Sequence, residues 1–231
     1  MNRLLTLLLF SCLLTASANG QIKKWYTTSG GELVFSFADI EDGNATADGS
    51  KLRFSAVLHV QSWANYNFSE KAGFFTGVSV RNVGFITENN TTNQKKKFRT
   101  YNLGIPIGLK IGDMSRGFIY GGYELEIPFN YKEKTFEGDD KVDKFSVWFS
   151  DRTEPLMHTA FVGYQFRNGG NLKFKYYLNN FFNQDFSENI AGEVVRPYED
   201  VNVNMFYVSL SFNLFHNTKV YYKSDYYEPR E

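Results

Sequence analysis

Four charged residues carry the strongest chemical signal in the chain: Arg81, Lys110, Glu124 and Glu126. Alternation, set out below, puts all four on one polar face of strands that follow each other in sequence. Opposite charges enclosed in a narrow lumen pair with each other, and a paired network blocks passage unless it opens. Gly104, Pro106 and Gly108 leave room between them, so Gly104→Ser is expected to be nearly silent. The three histidines, His59, His158 and His216, fall on different segments with no carboxylate at a fixed spacing, which argues against a metal site. Nucleophilic or acid–base chemistry would need a His with a Ser or Asp partner. His158 with Ser150 or Asp151 is the one loose candidate, and no local motif supports it. The expectation is therefore a non-enzymatic protein with no catalytic residue, metal or cofactor.

Asp139, Asp140 and Asp143, with Glu133, Glu137, Asp151 and Glu154 nearby, suggest calcium. Lys132, Lys134, Lys141, Lys144 and Arg152 share the segment, and the spacing of a calcium loop is missing, so a solvated mixed-charge loop is the reading. The sequons at Asn44, Asn67 and Asn90 read as polar loops and turns.

The elements that hold these residues have a period of two. From Arg99, odd positions read Arg99, Tyr101, Leu103, Ile105, Ile107, Leu109 and Ile111, while even positions are small or polar, ending with Gly108, Lys110 and Gly112. From Ile119, the apolar set Tyr123, Leu125, Ile127 and Phe129 alternates with Glu124 and Glu126. Residues 52–61, 172–179 and 206–214 follow suit, the last with Val208, Leu210 and Phe212 outward. Weaker cases lie near 31–40, 72–86 and 156–166, which makes eight strands.

A soluble sandwich also alternates, so the decision rests on which face resembles a core. Here charges and glycines sit on one face and a continuous aliphatic face lies opposite, on a strand as long as 99–112. Such a length exceeds that of ordinary globular strands and suits tilted strands crossing a bilayer with an apolar outside and a polar lumen. Closure is required there, because hydrocarbon satisfies no free strand edge. The expected fold is an all-β, eight-stranded antiparallel up-and-down transmembrane barrel, with a ten-stranded barrel as the alternative. Leu103, Ile105, Ile107, Leu109, Leu125, Ile127 and Leu210 are expected to face lipid.

Connectors support this. Turns near 113–115 and 167–170 are short, whereas 132–155 and 183–200 read as long loops, as in barrels with short periplasmic turns and long extracellular loops. Aromatic residues make up 18% of the chain, a share that two interfacial girdles would explain.

The first residues have a basic start at Arg3, an apolar run Leu4–Leu14 and a small-residue finish Ala16–Gly20, the pattern of a secretory signal peptide cleaved after Gly20 or after Ala18. Cys12, the single cysteine, leaves with it. Phe10 is too large for a lipoprotein cleavage site, so the mature chain carries no thiol and no disulfide. Equal numbers of basic and acidic residues, 25 each, give no basic surface for nucleic acid. The domains read as 1–20 signal peptide, 21–215 barrel and 216–231 periplasmic tail.

With Thr76-Gly77-Val78-Ser79-Val80-Arg81-Asn82-Val83-Gly84-Phe85, Tyr101-Asn102-Leu103-Gly104-Ile105-Pro106-Ile107-Gly108-Leu109-Lys110 and the closing Tyr207-Val208-Ser209-Leu210-Ser211-Phe212, the chain resembles the small outer-membrane β-barrel family common in Bacteroidota, which includes PorT-like and porin-family barrels. It departs from the pattern in its tail after Phe215. The resemblance implies the outer membrane as location, outer-membrane lipid as surroundings, and other envelope proteins as partners through the loops or the tail. The functional expectation is a structural, adhesive or assembly-partner barrel with a filled lumen. A narrow porin or hydrophobic-solute conduit is the alternative, and a soluble secreted lipocalin-type binder a third reading.

Overall fold

A computed structural model describes residues 24–42, 50–89 and 92–217. The signal segment with Cys12 and the tail beyond Asn217 lie outside these residues. Every named element among them is a strand: β1 Lys24–Asp42, β2 Ser50–Lys51, β3 Arg53–Ser55, β4 Val60–Asn67, β5 Ala72–Asn89, β6 Gln94–Asp113, β7 Gly117–Glu137, β8 Asp140–Trp148, β9 Met157–Phe166, β10 Gly170–Tyr177, β11 Glu188–Ile190, β12 Glu193–Val195 and β13 Val201–Asn217.

Hydrogen bonding runs β13-β10-β9-β7-β6-β5-β4-β1, and β13 pairs antiparallel with β1 from Asp42↔Val201 to Thr27↔Asn217, so the sheet closes on itself. Eight passes make the ring: β2, β3 and β4 are pieces of the second, and β8 extends the sixth, whose main part is β9. The chain is an eight-stranded antiparallel barrel.

The wall is apolar outside and polar inside. Along β6, Leu103, Ile105, Ile107 and Leu109 are exposed, Ile107 at 61%, while Asn102 and Lys110, on the opposite face at either end of that row, are buried, Lys110 at 1%. Ile127 and Leu210 are likewise exposed and Leu125 half-buried. Hydrocarbon is the solvent such a wall fits, since in water the exposed rows would remain unburied and the charges would be desolvated for nothing. The twelve steps from Tyr101 to Asp113, at ~3.4 Å each and a tilt of about 45°, rise about 28 Å, close to the height of an apolar barrel belt.

Two expectations need correcting. Residues 52–61 do not form one strand: Val34 pairs with Ser55 but Gly31 with Val60, so residues 56–59 bulge out of the ladder, with Leu58 at φ +60° and Val57 exposed. Residues 132–155 are not a loop either. β7 runs on to Glu137 and turns at Gly138, with φ +59°, into β8, which pairs with it from Glu137↔Asp140 to Asn130↔Trp148. Beyond the apolar belt this hairpin needs no apolar face, which removes the signal that marks the other strands.

Short connections, residues 68–71, 114–116 and 167–169, join β4 to β5, β6 to β7 and β9 to β10 at the end where β1 begins and β13 ends. The turn at 114–116 is tied by Asp113 Oδ1, which accepts from Ser115 N, Ser115 Oγ and Arg116 N. Longer connections and the β7–β8 hairpin lie at the opposite end.

Candidate functional site

The lumen is filled in three layers. Toward the short-turn end, Trp63, Phe75, Phe118, Tyr120 and Phe161 pack together, with Trp63 stacked on Phe75 at 4.5 Å. Toward the other end, Phe85, Phe98, Tyr131, Met157, Tyr177, Val203, Met205 and Tyr207 from the wall surround Phe181, Phe182 and Tyr198 from the connection after β10. That connection folds into the mouth: Phe182 stacks face to face on Tyr198 at 4.2 Å and meets Phe98 edge-on at 5.3 Å. Arg152 fastens it from outside, pairing with Glu188 and donating to Tyr198 Oη at 3.3 Å.

Between the aromatic layers lies a ring of six charges. Glu32, Glu124 and Glu126 face Arg81, Lys173 and Lys175, and each of the six side chains is at most 2% exposed. Glu32 takes Arg81 Nε at 3.1 Å and Lys173 Nζ at 2.6 Å, and accepts from Ser209 Oγ. Glu124 takes Arg81 Nη1 and Lys175 Nζ, the latter at 2.8 Å. Glu126 pairs with Lys175 and accepts from Asn102 Nδ2 at 2.7 Å and Tyr177 Oη at 2.8 Å. Arg81 Nη2 completes its set on Gln61 Oε1 at 3.1 Å, and Thr159 Oγ1 donates to the Glu124 carbonyl at 2.7 Å. All eight passes contribute a group. Three negative and three positive charges cancel, so the layer is neutral and its polar atoms are largely satisfied internally, which is the condition for burying charge at tolerable cost.

Of the four residues singled out from the sequence, the structure brings Arg81, Glu124 and Glu126 together and leaves Lys110 apart. Lys110 Nζ donates to Tyr26 Oη at 2.8 Å, Asn65 Oδ1 at 3.1 Å and Asn67 Oδ1 at 2.8 Å, near the Phe118 ring. It is on the expected face at the wrong height: Lys110 pairs with Tyr120, whereas Glu126 pairs with Gly104. Alternation specifies face, and only the cross-strand register specifies level. Alternation puts Lys173 and Lys175 on the polar face without tying them to the network, and it gives no place to Glu32. The two lysines sit at i and i+2 on the polar face of β10, as the alternation has them, whereas Glu32 follows Gly30-Gly31 in a weakly alternating stretch.

The space over Gly104 is occupied. A Cβ there would overlap Glu124 Oε1 and Ser79 Oγ, so the expectation that Gly104→Ser is nearly silent is overturned. This glycine is the gap through which the network passes.

His59 Nε2 lies 2.8 Å from Ser55 Oγ inside the barrel, and His158 Nδ1 bonds Tyr123 Oη on the outside. The contacts of His158 thus go to Tyr123 and Asn179, with neither Ser150 nor Asp151 among them.

No family model matches the chain, and no curated protein matches it. Among solved structures it is similar to Ail, the attachment invasion locus protein of Yersinia pestis, at 14% identity and a TM-score of 0.38, covering 84% of this chain and 99% of that one. It is similar to Neisserial surface protein A at 11% identity and a TM-score of 0.37, covering 82% and 97%. With the outer membrane protein OprG from Pseudomonas aeruginosa it shares 13% identity at a TM-score of 0.35, covering 84% and 98%. The eight-pass barrel itself rests on the hydrogen-bond register, which closes without reference to these proteins.

Proposed function

We propose that the chain is an outer-membrane barrel with a closed lumen, exported by residues 1–20, embedded through residues 21–215 and continued by a periplasmic tail, 216–231. The termini and short turns lie on the periplasmic side and the β7–β8 hairpin with the 178–200 connection faces outward. Its role is structural, adhesive or in assembly with other envelope proteins, reached through the outer loops or the tail. Membership of the small barrel family of Bacteroidota belongs to the same proposal, on the strength of residues 76–85, 101–110 and 207–212.

The observation that carries this reading is the neutral ring Glu32, Arg81, Glu124, Glu126, Lys173 and Lys175 between two aromatic layers. An eight-stranded wall encloses little more than its own side chains, and here they interlock from every pass, so solute would have to break the ring. Reconstitution into planar bilayers tests it: the purified barrel gives no steps above the bare-membrane baseline. Regular single-channel steps would overturn the closed lumen and establish the narrow porin in its place. Partition of the folded chain into buffer without detergent would overturn the membrane location.

A further inference from the structure

Where the strands leave the apolar belt, their outward face turns cationic. On β6 the row Ile105, Leu103, Tyr101 continues as Arg99 and Lys97; β7 adds Lys132 and Lys134, and β8 adds Lys144. These cations stand directly opposite one another, Arg99↔Lys132, Lys97↔Lys134 and Lys134↔Lys144. Like charges in cross-strand pairs repel, so the arrangement costs stability unless an anion sits among them. The acids next to these cations in sequence lie on the other face: Glu133 is opposite the buried Phe98 and accepts from Tyr131 Oη at 2.8 Å, and Asp143 is opposite Thr135. Among the described residues, none of the five has a carboxylate within ion-pair distance, in contrast to Lys95, which has Glu88 at 3.5 Å.

A second observation is independent of the charge count. The Nε of Arg99 is shielded from solvent and has no acceptor, an N–H held inside the patch with nothing to donate to. Burial, followed by the neighbouring cations Arg99, Lys132, Lys141 and Lys144, also holds Lys134 below the ordinary lysine range.

The membrane side of the patch selects the partner. Immediately beneath it, Tyr101 contacts Phe129 at 6.4 Å and Phe129 stacks on Trp148 at 5.9 Å, and beneath these the belt of Leu103 and Ile105 begins. A soluble anion would use the cations alone, whereas a phosphorylated lipid fills both regions, headgroup on the cations and chains along the belt. Resting on the membrane reading above, we propose that Lys97, Arg99, Lys132, Lys134 and Lys144 form a docking surface for the phosphate headgroups of lipids in the leaflet on the long-connection side.

Trp148 borders the patch and serves as the reporter. The full-length mature barrel is reconstituted into phosphatidylcholine vesicles that contain a minor fraction of either chain-brominated phosphatidic acid or chain-brominated phosphatidylcholine. Quenching by a Trp148→Phe barrel is subtracted to remove Trp25 and Trp63. The brominated phosphatidic acid is expected to be enriched about fivefold beside Trp148, one cation's worth of attraction to an anionic lipid. The combined variant Arg99→Gln, Lys132→Gln, Lys134→Gln, still heat-modifiable on gels, should quench equally with both lipids. Equal quenching in the unaltered, inserted barrel overturns the docking surface and leaves the membrane reading intact. Failure of the chain to insert into phosphatidylcholine at all overturns both.

Discussion

Arg81 Nε donates to Glu32 Oε2 at 3.1 Å across the lumen, joining residues 49 apart in sequence whose side chains are each 1% exposed. The same guanidinium reaches Glu124 and Gln61, so one side chain on β5 ties β1, β4 and β7 together. Removing it takes a cation away from three buried carboxylates, Glu32, Glu124 and Glu126. Arg81→Ala is expected to destabilise the barrel by about 3–5 kcal/mol, read as a lower urea midpoint in detergent. Adding Glu124→Ala removes one of the stranded charges and should cost less than the sum of the two single changes. Additive losses would show that the pair does not couple.

Gly104 and Ile105 are neighbours with opposite surroundings, the first against Glu124 and Ser79 inside, the second exposed outside. Ile105→Arg puts a charge in the belt and should cost about 2–4 kcal/mol if it lies near the midplane. Gly104→Ala forces the Glu124 carboxylate to move and should cost about 1–3 kcal/mol, as overpacking does in other tight interiors. An unaltered urea midpoint for Gly104→Ala would mean that the ring is looser than its contacts indicate.

How much of this was legible in the sequence depends on what alternation can encode. A period of two assigns each residue to a face, and Arg81, Glu124, Glu126 and Lys110 were all assigned to the lumen, where they are. Height along the axis follows from register, which depends on bulges such as those at residues 56–59 and between Tyr101 and Asn102, and no local pattern announced them. The upper layer was hidden for another reason: Phe181 and Phe182 are adjacent, follow neither a strand nor a helix period, and are buried only because the chain after β10 turns back into the mouth. The cations of the β7–β8 hairpin read as loop in the sequence, because a strand beyond the apolar belt needs no apolar face and so shows no alternation.

Orientation is open to direct labelling. Cys12 is the chain's single cysteine, so in a Cys12→Ser background an introduced thiol is unique. Glu193→Cys, on the exposed β11–β12 ribbon, should react with a membrane-impermeant maleimide on intact cells, whereas Ser115→Cys should react only after the outer membrane is opened. The reverse pattern would place the long connections in the periplasm.

Lys134 supplies a titration with a definite sign. Its charged form is disfavoured first by burial and then by Arg99, Lys132, Lys141 and Lys144, so it should release its proton below the ordinary lysine value of about 10.5. A folded pKa below the unfolded one means that the charged lysine opposes folding at neutral pH. That opposition fades as pH rises through the depressed folded value and is gone above the unfolded value. Resonances of reductively dimethylated lysines, assigned through Lys134→Arg, would give the midpoint in neutral detergent. A value at or above that of free dimethyl-lysine would show that the cations do not crowd one another.

The aromatic cap permits a test that separates closure from stability. Phe182 is 3% exposed and holds the connection after β10 in the mouth through Tyr198, Phe98, Phe85 and Phe181. Phe182→Ala should loosen that connection, with a cost of about 3 kcal/mol if the cavity does not collapse, and should speed protease cleavage of the already exposed segment Glu188–Val195. Conductance, however, should stay at baseline, because the charged ring and the Trp63–Phe75–Tyr120 layer below it are built from other residues and remain in place. Combination with Arg81→Ala opens the middle layer as well, and current is expected only when the Trp63–Phe75–Tyr120 layer is opened too, as by adding Phe75→Ala. Single-channel steps from Phe182→Ala alone would mean that the cap is the sole barrier and that the ring beneath it already admits ions.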